Sequence, residues 1–153
     1  MSTSPVAPTE IVVGTDGSTT ADEAVRRAAR AAALSGARLH IVTAVDGPAR
    51  SANAQELPLD MQWLATPGRA ADQILDRARE LVHPGVIVEL HSRAGDAADV
   101  LVELAEEVGA DLIVVGNKGM HGVGGYVRPS VPNKVSHRAR CDVLIVATDG
   151  QAA

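Results

Sequence analysis

Aromatic side chains are almost absent from this 153-residue chain, which contains one Trp, one Tyr and no Phe. The core must therefore be built from Val, Ile, Leu and Ala, a composition that favours parallel strands covered by alanine-faced helices. The shortage also makes aromatic stacking of a base nearly unavailable. Any base would have to be recognised through backbone and aliphatic contacts.

Three further absences exclude classes of protein. Cys141 is the single cysteine, which excludes an internal disulfide and agrees with a reducing compartment. The net charge is -5 and no basic run stands out, so we expect no nucleic-acid partner. The chain has no stretch of about eighteen apolar residues and no signal-peptide pattern, which predicts a cytoplasmic protein without membrane contact.

The length suits one domain. We predict a disordered tail over residues 1–8, a single domain over residues 9–148 and a second tail over residues 149–153. Short apolar runs alternate with helical patterns, giving five strands and four helices, which argues for an α/β fold with an open parallel sheet and helices on both faces. The predicted strands are Ile11–Val13, Leu39–Val45, Val86–His91, Leu112–Val115 and Val143–Ala147, and the helices begin near Ser18, Pro67, Asp96 and Ser130. The apolar stripe of the second helix runs to Val82 before Pro84, while residues 46–66 show no clean period and are interpreted as an irregular connection.

The stretch from Asp111 to Val146 reads as buried strand, glycine-rich loop, short helix and buried strand. Five glycines fall within ten residues from Gly116, and Ser130 can cap the helix that follows. Free backbone N–H groups beside a helix N-terminus suit an anion, most often a phosphate. The alternative is a plain surface connection between two elements.

Ligands of open parallel sheets sit at the carboxyl ends of the strands, where the strand order reverses. Three turns have suitable chemistry there: Gly14–Gly17 after the first strand, Ala44–Asp46 after the second, and the glycine-rich loop after the fourth. Asp16 has two readings, a ligand contact or a turn residue, because Asp-Gly is a common turn pair.

Metal and catalytic patterns are not evident. The five histidines have no metal-ligand spacing, Cys141 is best read as a structural thiol, and no Ser-His-Asp or Cys-His arrangement can be placed. We therefore name no catalytic residue and no protein metal site.

Four segments together resemble the universal stress protein family over about residues 9–148: Val13–Ser18, Val115–Gly119, Ser130–Pro132 and Val143–Val146. The resemblance implies a Rossmann-like fold of the adenine nucleotide alpha hydrolase type, with strand order 3-2-1-4-5. It also implies an adenine nucleotide ligand (ATP, AMP or cyclic AMP), magnesium where ATP is bound, and a homodimer through the last strand, Val143–Ala147.

By the same resemblance, Asp16 and either Ala44 or Val45 would hold the adenosine. Gly116, Gly119, Ser130 and Val131 would hold the ribose and phosphates. With their neighbours, the candidate nucleotide-binding residues are Gly14, Thr15, Asp16, Ala44, Val45, Gly116, Asn117, Lys118, Gly119, Arg128, Ser130 and Val131.

One departure from the family's ATP-binding pattern is Pro129, which stands where that pattern has a third glycine. Proline donates no N–H and restricts Arg128 before it, so the loop loses a donor and backbone freedom. We expect a triphosphate to be held less well than AMP or cyclic AMP. The Ser130–Asn133 helix start also resembles actinobacterial members, some of which bind cyclic AMP.

Three functions follow from these patterns. The first, which we favour, is a regulatory or stress-response module that binds an adenine nucleotide without efficient turnover, and so is not an enzyme. The second is a slow ATP hydrolase. The third is a dimeric scaffold that binds no nucleotide because of Pro129.

Overall fold

The fold is a five-stranded parallel sheet with helices on both faces, in a computed structural model that describes residues 7–45, 67–117 and 131–147. The strand order is β3-β2-β1-β4-β5, which confirms the order implied by the family resemblance. The elements are β1 (Glu10–Gly14), α1 (Thr19–Ser35), β2 (Arg38–Val45), α2 (Pro67–Arg79), β3 (Val88–Ala94), α3 (Ala97–Val108), β4 (Leu112–Gly116), α4 (Val131–Arg138) and β5 (Asp142–Val146).

Two apolar clusters, one on each face, hold the sheet between its helices. Neighbouring residues of a strand point to opposite faces, so Ile11 and Val13 of β1 pack under α1 and α2, while Val12 packs under α3 and α4. The three are fully buried. A strand that is covered by helices on both faces needs apolar residues pointing to both sides. β1 and β4 contain such continuous apolar runs, and they could therefore be recognised from sequence.

The starts of α1 and α3 were predicted correctly because they depend on local residues that cap the helices. Ser18 accepts a hydrogen bond from the N–H of Ala21 at 3.1 Å, and Asp96 accepts one from Asp99 at 3.5 Å. Gly36 and Gly109 end the two helices in left-handed conformations. Each cap of the Ser or Asp type contributes about 1 kcal/mol.

The second helix and the third strand differ from the prediction. α2 ends at Arg79, because the N–H groups of Leu81 and Val82 bond to carbonyls three residues earlier and tighten the chain into a turn. Both side chains still pack on the apolar cluster under α1 and α2, so the apolar pattern in the sequence continues past the end of the helix. The N–H of Val86 is likewise used in a turn, and β3 begins at Val88.

Smaller differences concern strand ends. β3 continues past His91 to Ala94, because it pairs with the last residues of β2, and β5 begins one residue earlier than predicted. The connection over residues 46–66 and the ends of the chain (residues 1–6 and 148–153) lie outside the described residues. Within the described part, no helix is long and apolar enough to cross a membrane.

Candidate functional site

The strand order reverses between β1 and β4, which lie side by side at the centre of the sheet. Their register pairs Val13 with Val114, so Gly14 and Gly116 end the two strands next to each other. Open parallel sheets bind ligands in the crevice outside the carboxyl ends of strands at such a reversal. The fold therefore brings together the ends of the two strands that lead into two of the turns noted in the sequence.

The turn after β1 is held in place by its own hydrogen bonds. Thr15 is buried, and its N–H donates to the carbonyl of Val42 at 2.9 Å, which extends the pairing of β1 with β2 by one residue. Its hydroxyl oxygen accepts from the N–H of Gly17 at 3.1 Å. Gly17 has a φ of 83°, a conformation that other residues adopt only at a cost. The turn is thus shaped before any ligand arrives.

Asp16 is exposed at the tip of this turn. Its Oδ1 accepts a hydrogen bond from the N–H of Ser18 at 2.9 Å, so the turn reading of Asp16 is correct. The carboxylate is exposed, so its charge is available to solvent. The turn role and a ligand contact are compatible.

A small cleft lies at the end of β1 and β2, against the first turns of α3. Its volume is about 10 Å³, room for about one water. It is lined by Gly14, Thr15, Val42, Ala44, Ala97, Val100 and Leu101. The cleft is therefore too small to enclose a ligand larger than a water.

Of the two candidate residues at the end of β2, Ala44 lines the cleft and Val45 does not. The carbonyl of Val45 accepts the N–H of Gly95 at 3.1 Å, which closes the pairing of β2 with β3. The alternation of side chains along β2 separates the two residues.

Four lining residues were missed in the sequence: Val42, Ala97, Val100 and Leu101. Val42 could have been found, because it precedes Ala44 by two residues and shares its face. The α3 residues depend on tertiary packing. Every helix that follows a parallel strand begins at the carboxyl edge of the sheet, and this rule points to Ala97 in the first turn of α3.

Gly116 lies at the end of β4, beside the first turn of α1, where a Cβ would be 3.4 Å from the carbonyl oxygen of Thr20. Asn117 follows it and donates its backbone N–H to the carbonyl of Val146 at 3.0 Å. That N–H therefore completes the sheet and is not directed at a ligand.

Val131 begins α4 and is half-buried in the cluster under α3 and α4. Its side chain is thus a packing residue at the N-terminus of α4. Four predicted site residues (Lys118, Gly119, Arg128 and Ser130), together with Pro129, lie outside the described residues.

Two ion pairs join α3 to α4 near this edge. The Nζ of Lys134 is 3.8 Å from Oδ1 of Asp96, and Arg138 pairs with Asp99. The ammonium group of Lys134 is therefore shared with the residue that caps α3.

A larger cleft, of about 440 Å³, lies at the opposite, amino-terminal edge of the sheet, between α3 and the start of β5. It includes Cys141, whose thiol pKa is raised by burial and by the nearby carboxylates of Asp142 and Asp111. The raised pKa favours the protonated thiol, which is less nucleophilic than the thiolate. Across the described ranges, no three His, Cys, Asp or Glu side chains are grouped so as to hold a metal.

Comparisons with known proteins identify the family of the chain. The sequence profile described as "Universal stress protein family" matches residues 9–147. A universal stress protein of Mycobacterium tuberculosis is 40% identical over 140 residues, which are 90% of this chain and 95% of that protein.

Solved structures give the same picture. A universal stress protein in complex with cAMP has a TM-score of 0.67 and 38% identity, covering 93% of this chain and 98% of that chain. A universal stress protein from Archaeoglobus fulgidus in complex with dAMP has a TM-score of 0.60 and 25% identity, covering 90% of this chain and 96% of that chain.

Proposed function

Because this chain belongs to the universal stress protein family, we propose that it binds an adenine nucleotide and acts as a regulatory module without efficient turnover. The observation that carries the proposal is that two strand ends meet at the reversal of strand order. The ends of β1 and β4 are adjacent, and the turn after β1 is fixed by Thr15 and Gly17. The relatives that hold cAMP and dAMP support an adenine nucleotide as the ligand.

The adenosine would lie over the cleft at the ends of β1 and β2, with Asp16 at its polar side and Ala44 beneath it. With so few aromatic residues in the chain, the base would be recognised by aliphatic contacts and backbone groups. The ribose and phosphates would extend towards Gly116 and the N-terminus of α4 at Val131, where backbone N–H groups and the helix dipole favour an anion. Gly119 and Ser130, with Lys118 and Arg128, would complete that part of the site.

Among adenine nucleotides, we propose that AMP or cyclic AMP binds better than ATP. Pro129 removes one backbone donor and the freedom of a glycine where the chain would wrap a triphosphate. A ligand with one phosphate needs fewer of these donors. Magnesium would enter with ATP alone, carried by phosphate oxygens.

Slow hydrolysis of ATP is the weaker alternative. The carboxylates near the described part of the site have other tasks: Asp16 accepts the N–H of Ser18, and Asp96 caps α3 and pairs with Lys134. A general base needs to reach an attacking water in a fixed position, and these tasks favour binding over turnover.

We also propose a cytoplasmic homodimer joined through β5. This strand is at the edge of the sheet, and its side chains Leu144 and Ile145 are 38% and 45% exposed. The carbonyl of Val146 faces β4, so the backbone groups of Ile145, one residue earlier, face away from it. An edge with unpaired backbone groups and apolar side chains is suited to pairing with a second copy.

The test is calorimetric titration of purified, nucleotide-stripped protein with cyclic AMP, AMP and magnesium-ATP side by side. We expect the two monophosphates to bind at micromolar concentrations and ATP to bind at least tenfold more weakly. Equal or tighter binding of ATP would contradict the argument from Pro129. Binding of none of the three would reject the nucleotide proposal and favour the dimeric scaffold.

A further inference from the structure

Three ionisable side chains form a chain of hydrogen bonds across β1, β2 and β3, away from the nucleotide edge. His40 is almost fully buried, and its Nε2 is 2.8 Å from Oε1 of Glu10. Its Nδ1 is 3.0 Å from Nε2 of His91. Both nitrogens of a buried imidazole are therefore in use, and the proposed nucleotide site needs neither of them.

The sheet register produces this arrangement. His40 pairs directly with Glu89, and His91 lies two residues further along β3, diagonal to His40 on the same face. Diagonal neighbours on adjacent strands are within reach of long or aromatic side chains. The apolar cluster under α3 and α4, as far as the chain is described, draws on β1, β2, β4 and β5 but on no residue of β3. A polar cluster can thus occupy this part of the sheet.

Only one hydrogen atom fits between Nδ1 of His40 and Nε2 of His91, and it is bonded to one of these two nitrogens. When His40 is charged, it donates to Glu10 and to a neutral His91. When His91 carries the hydrogen, it donates to Nδ1 of His40, and His40 donates from Nε2 to Glu10. A proton on both rings would place two N–H groups against each other across 3.0 Å, and attraction would become repulsion.

The ring geometry favours this hydrogen bond over a shared metal. The ring centroids are 5.2 Å apart, which is close to the 3.0 Å between the nitrogens plus the two ring radii. The nitrogens therefore point at each other. Metal ligands must instead direct their lone pairs at a common third point.

The charged groups around His91 are mixed in sign. On β3 it faces Glu89 and Arg93, on α3 it faces Glu107, and on β2 it faces His40. Burial is the largest influence and lowers the pKa of His91 below its ordinary value of 6.5. The charges of His40 and Arg93 lower it further, and those of Glu89 and Glu107 oppose them less strongly. Arg38, on β2, is paired with Glu89 at 3.3 Å.

We propose that Glu10, His40 and His91 form an acid-sensitive latch on β3, one of the two edge strands of the sheet. The latch is closed while the two rings share one proton or none. A second proton breaks the hydrogen bond between His40 and His91 and loosens β3 from β2. The latch does not depend on whether the chain binds a nucleotide.

The sign of the effect on stability follows from the direction of the shift. The folded state takes up the proton on His91 less readily than the unfolded state does. The stabilisation is therefore fully present above pH 6.5, the ordinary value, and is lost as the pH falls from there through the lower pKa of the folded state.

Hydrogen exchange measures the latch directly. Protection of the β3 amides, corrected for intrinsic exchange, is compared at about pH 7.5 and about pH 5 in the wild type and in His91→Gln, whose side chain can hydrogen-bond but takes up no proton. We expect β3 protection to fall severalfold in the wild type and to change little in His91→Gln, with β4 as an internal reference. An equal fall in both proteins would overturn the proposal.

A second variant leaves both rings in place. In Glu10→Gln the carboxylate 2.8 Å from Nε2 of His40 becomes a neutral amide. More of the first proton taken up by the two rings should then reside on His91. Imidazole ¹⁵N shifts should then show His91 titrating at a higher pH than in the wild type. An identical titration of His91 in the two proteins would also overturn the proposal, even if His91→Gln failed to fold.

Discussion

Gly116 ends β4 against the first turn of α1, and a Cβ at this position would lie 3.4 Å from the carbonyl oxygen of Thr20. The next nearest atom is the Cβ of Ala24, at 3.9 Å. One glycine therefore lies at the contact between the end of β4 and the helix that follows β1. A side chain much larger than a methyl group would have to displace that helix.

Replacing Gly116 with Ala should be tolerated, whereas replacing it with Leu should not. Gly116 has no positive φ, and 3.4 Å is ordinary contact, so Gly116→Ala should change the free energy of unfolding by less than about 1 kcal/mol. The larger Gly116→Leu must push α1 away and should cost about 1–3 kcal/mol. Urea unfolding measures both, and calorimetry should show weaker nucleotide binding for Gly116→Leu.

The matched control is Gly85→Leu. The nearest neighbour of a Cβ at Gly85 is the His83 ring, at 3.5 Å, and Gly85 is exposed. A cost for Gly85→Leu as large as that for Gly116→Leu would contradict the importance of the contact with α1.

Gly17 should be more sensitive to substitution than Gly36, although both have left-handed backbones. At Gly36 (φ 76°) a Cβ would meet nothing within 4 Å, so Gly36→Ala should cost only the backbone strain, about 1–2 kcal/mol. At Gly17 a Cβ would also lie 3.2 Å from Cγ1 of Ile74 on α2. Gly17→Ala should therefore lower the free energy of unfolding by more than Gly36→Ala does.

A double-mutant cycle isolates this contact with α2. Removing the Ile74 side chain with Ile74→Ala should lower the cost of Gly17→Ala towards that of Gly36→Ala in denaturant unfolding. Additive effects of the two substitutions would show that Ile74 does not restrict the turn.

The features that could be predicted from sequence are those that depend only on residues close together in the chain. Ser18 and Asp96 as caps, and the all-apolar run of β1, need no knowledge of distant contacts. The end of α2 could not be predicted, since Leu81 and Val82 remain apolar and packed after the helix has become a tight turn.

Features that depend on strand register were missed for a related reason. The hydrogen bond between His40 and His91 joins residues that are 51 positions apart, and no spacing along the chain reveals it. Leu101 reaches the small cleft at the ends of β1 and β2 only through the packing of α3 against these strands. Local pattern fixes element type, and tertiary packing decides which residues meet.

Two substitutions at Asp16 separate its turn role from ligand contact. Asn keeps a side-chain oxygen that can accept the N–H of Ser18, whereas Ala loses it. If the carboxylate contacts the nucleotide, Asp16→Asn and Asp16→Ala should both weaken binding by about tenfold or more, as loss of a hydrogen bond to a charged group does. Titration calorimetry with cyclic AMP or AMP is the measurement. Binding by Asp16→Asn at wild-type strength would restrict Asp16 to shaping the turn.

Asp111 should make the fold sensitive to strong acid. Its Oδ2 accepts hydrogen bonds from the N–H and hydroxyl of Thr9, at 2.7 and 2.8 Å, and from the N–H of Glu10 at 3.2 Å. The bonds from Thr9 hold the pKa of Asp111 below its ordinary value of 3.8. The folded state therefore favours the charged carboxylate, and its stabilisation is present above pH 3.8 and lost as the pH falls through the lower, folded value.

Asp111→Asn should accordingly lower the free energy of unfolding by about 1 kcal/mol at neutral pH, with a smaller difference from the wild type near pH 3. Denaturant unfolding at the two pH values measures this. Asp72→Asn, at an exposed position on α2, provides the same change of charge and should have little effect. A difference between wild type and Asp111→Asn that stayed constant with pH would contradict the assigned role.

Lysine at position 145 should convert the proposed dimer to a monomer. Ile145 is 45% exposed on the edge strand β5, and a charge placed between two paired edges would be buried without a partner. Sedimentation velocity should show the mass of a dimer for the wild type and of a monomer for Ile145→Lys. Because Ile145 is exposed in the single chain, the monomer should remain folded by circular dichroism.

Ile87→Lys is the matched control for this substitution. Ile87 is 63% exposed and lies just before β3, at the other edge of the sheet. Its replacement removes the same side chain and adds the same charge, and the dimer should persist. If Ile87→Lys dissociated the protein while Ile145→Lys did not, the interface would lie on the β3 side of the sheet. Since the proposed latch holds that same strand, its protonation would then regulate assembly directly.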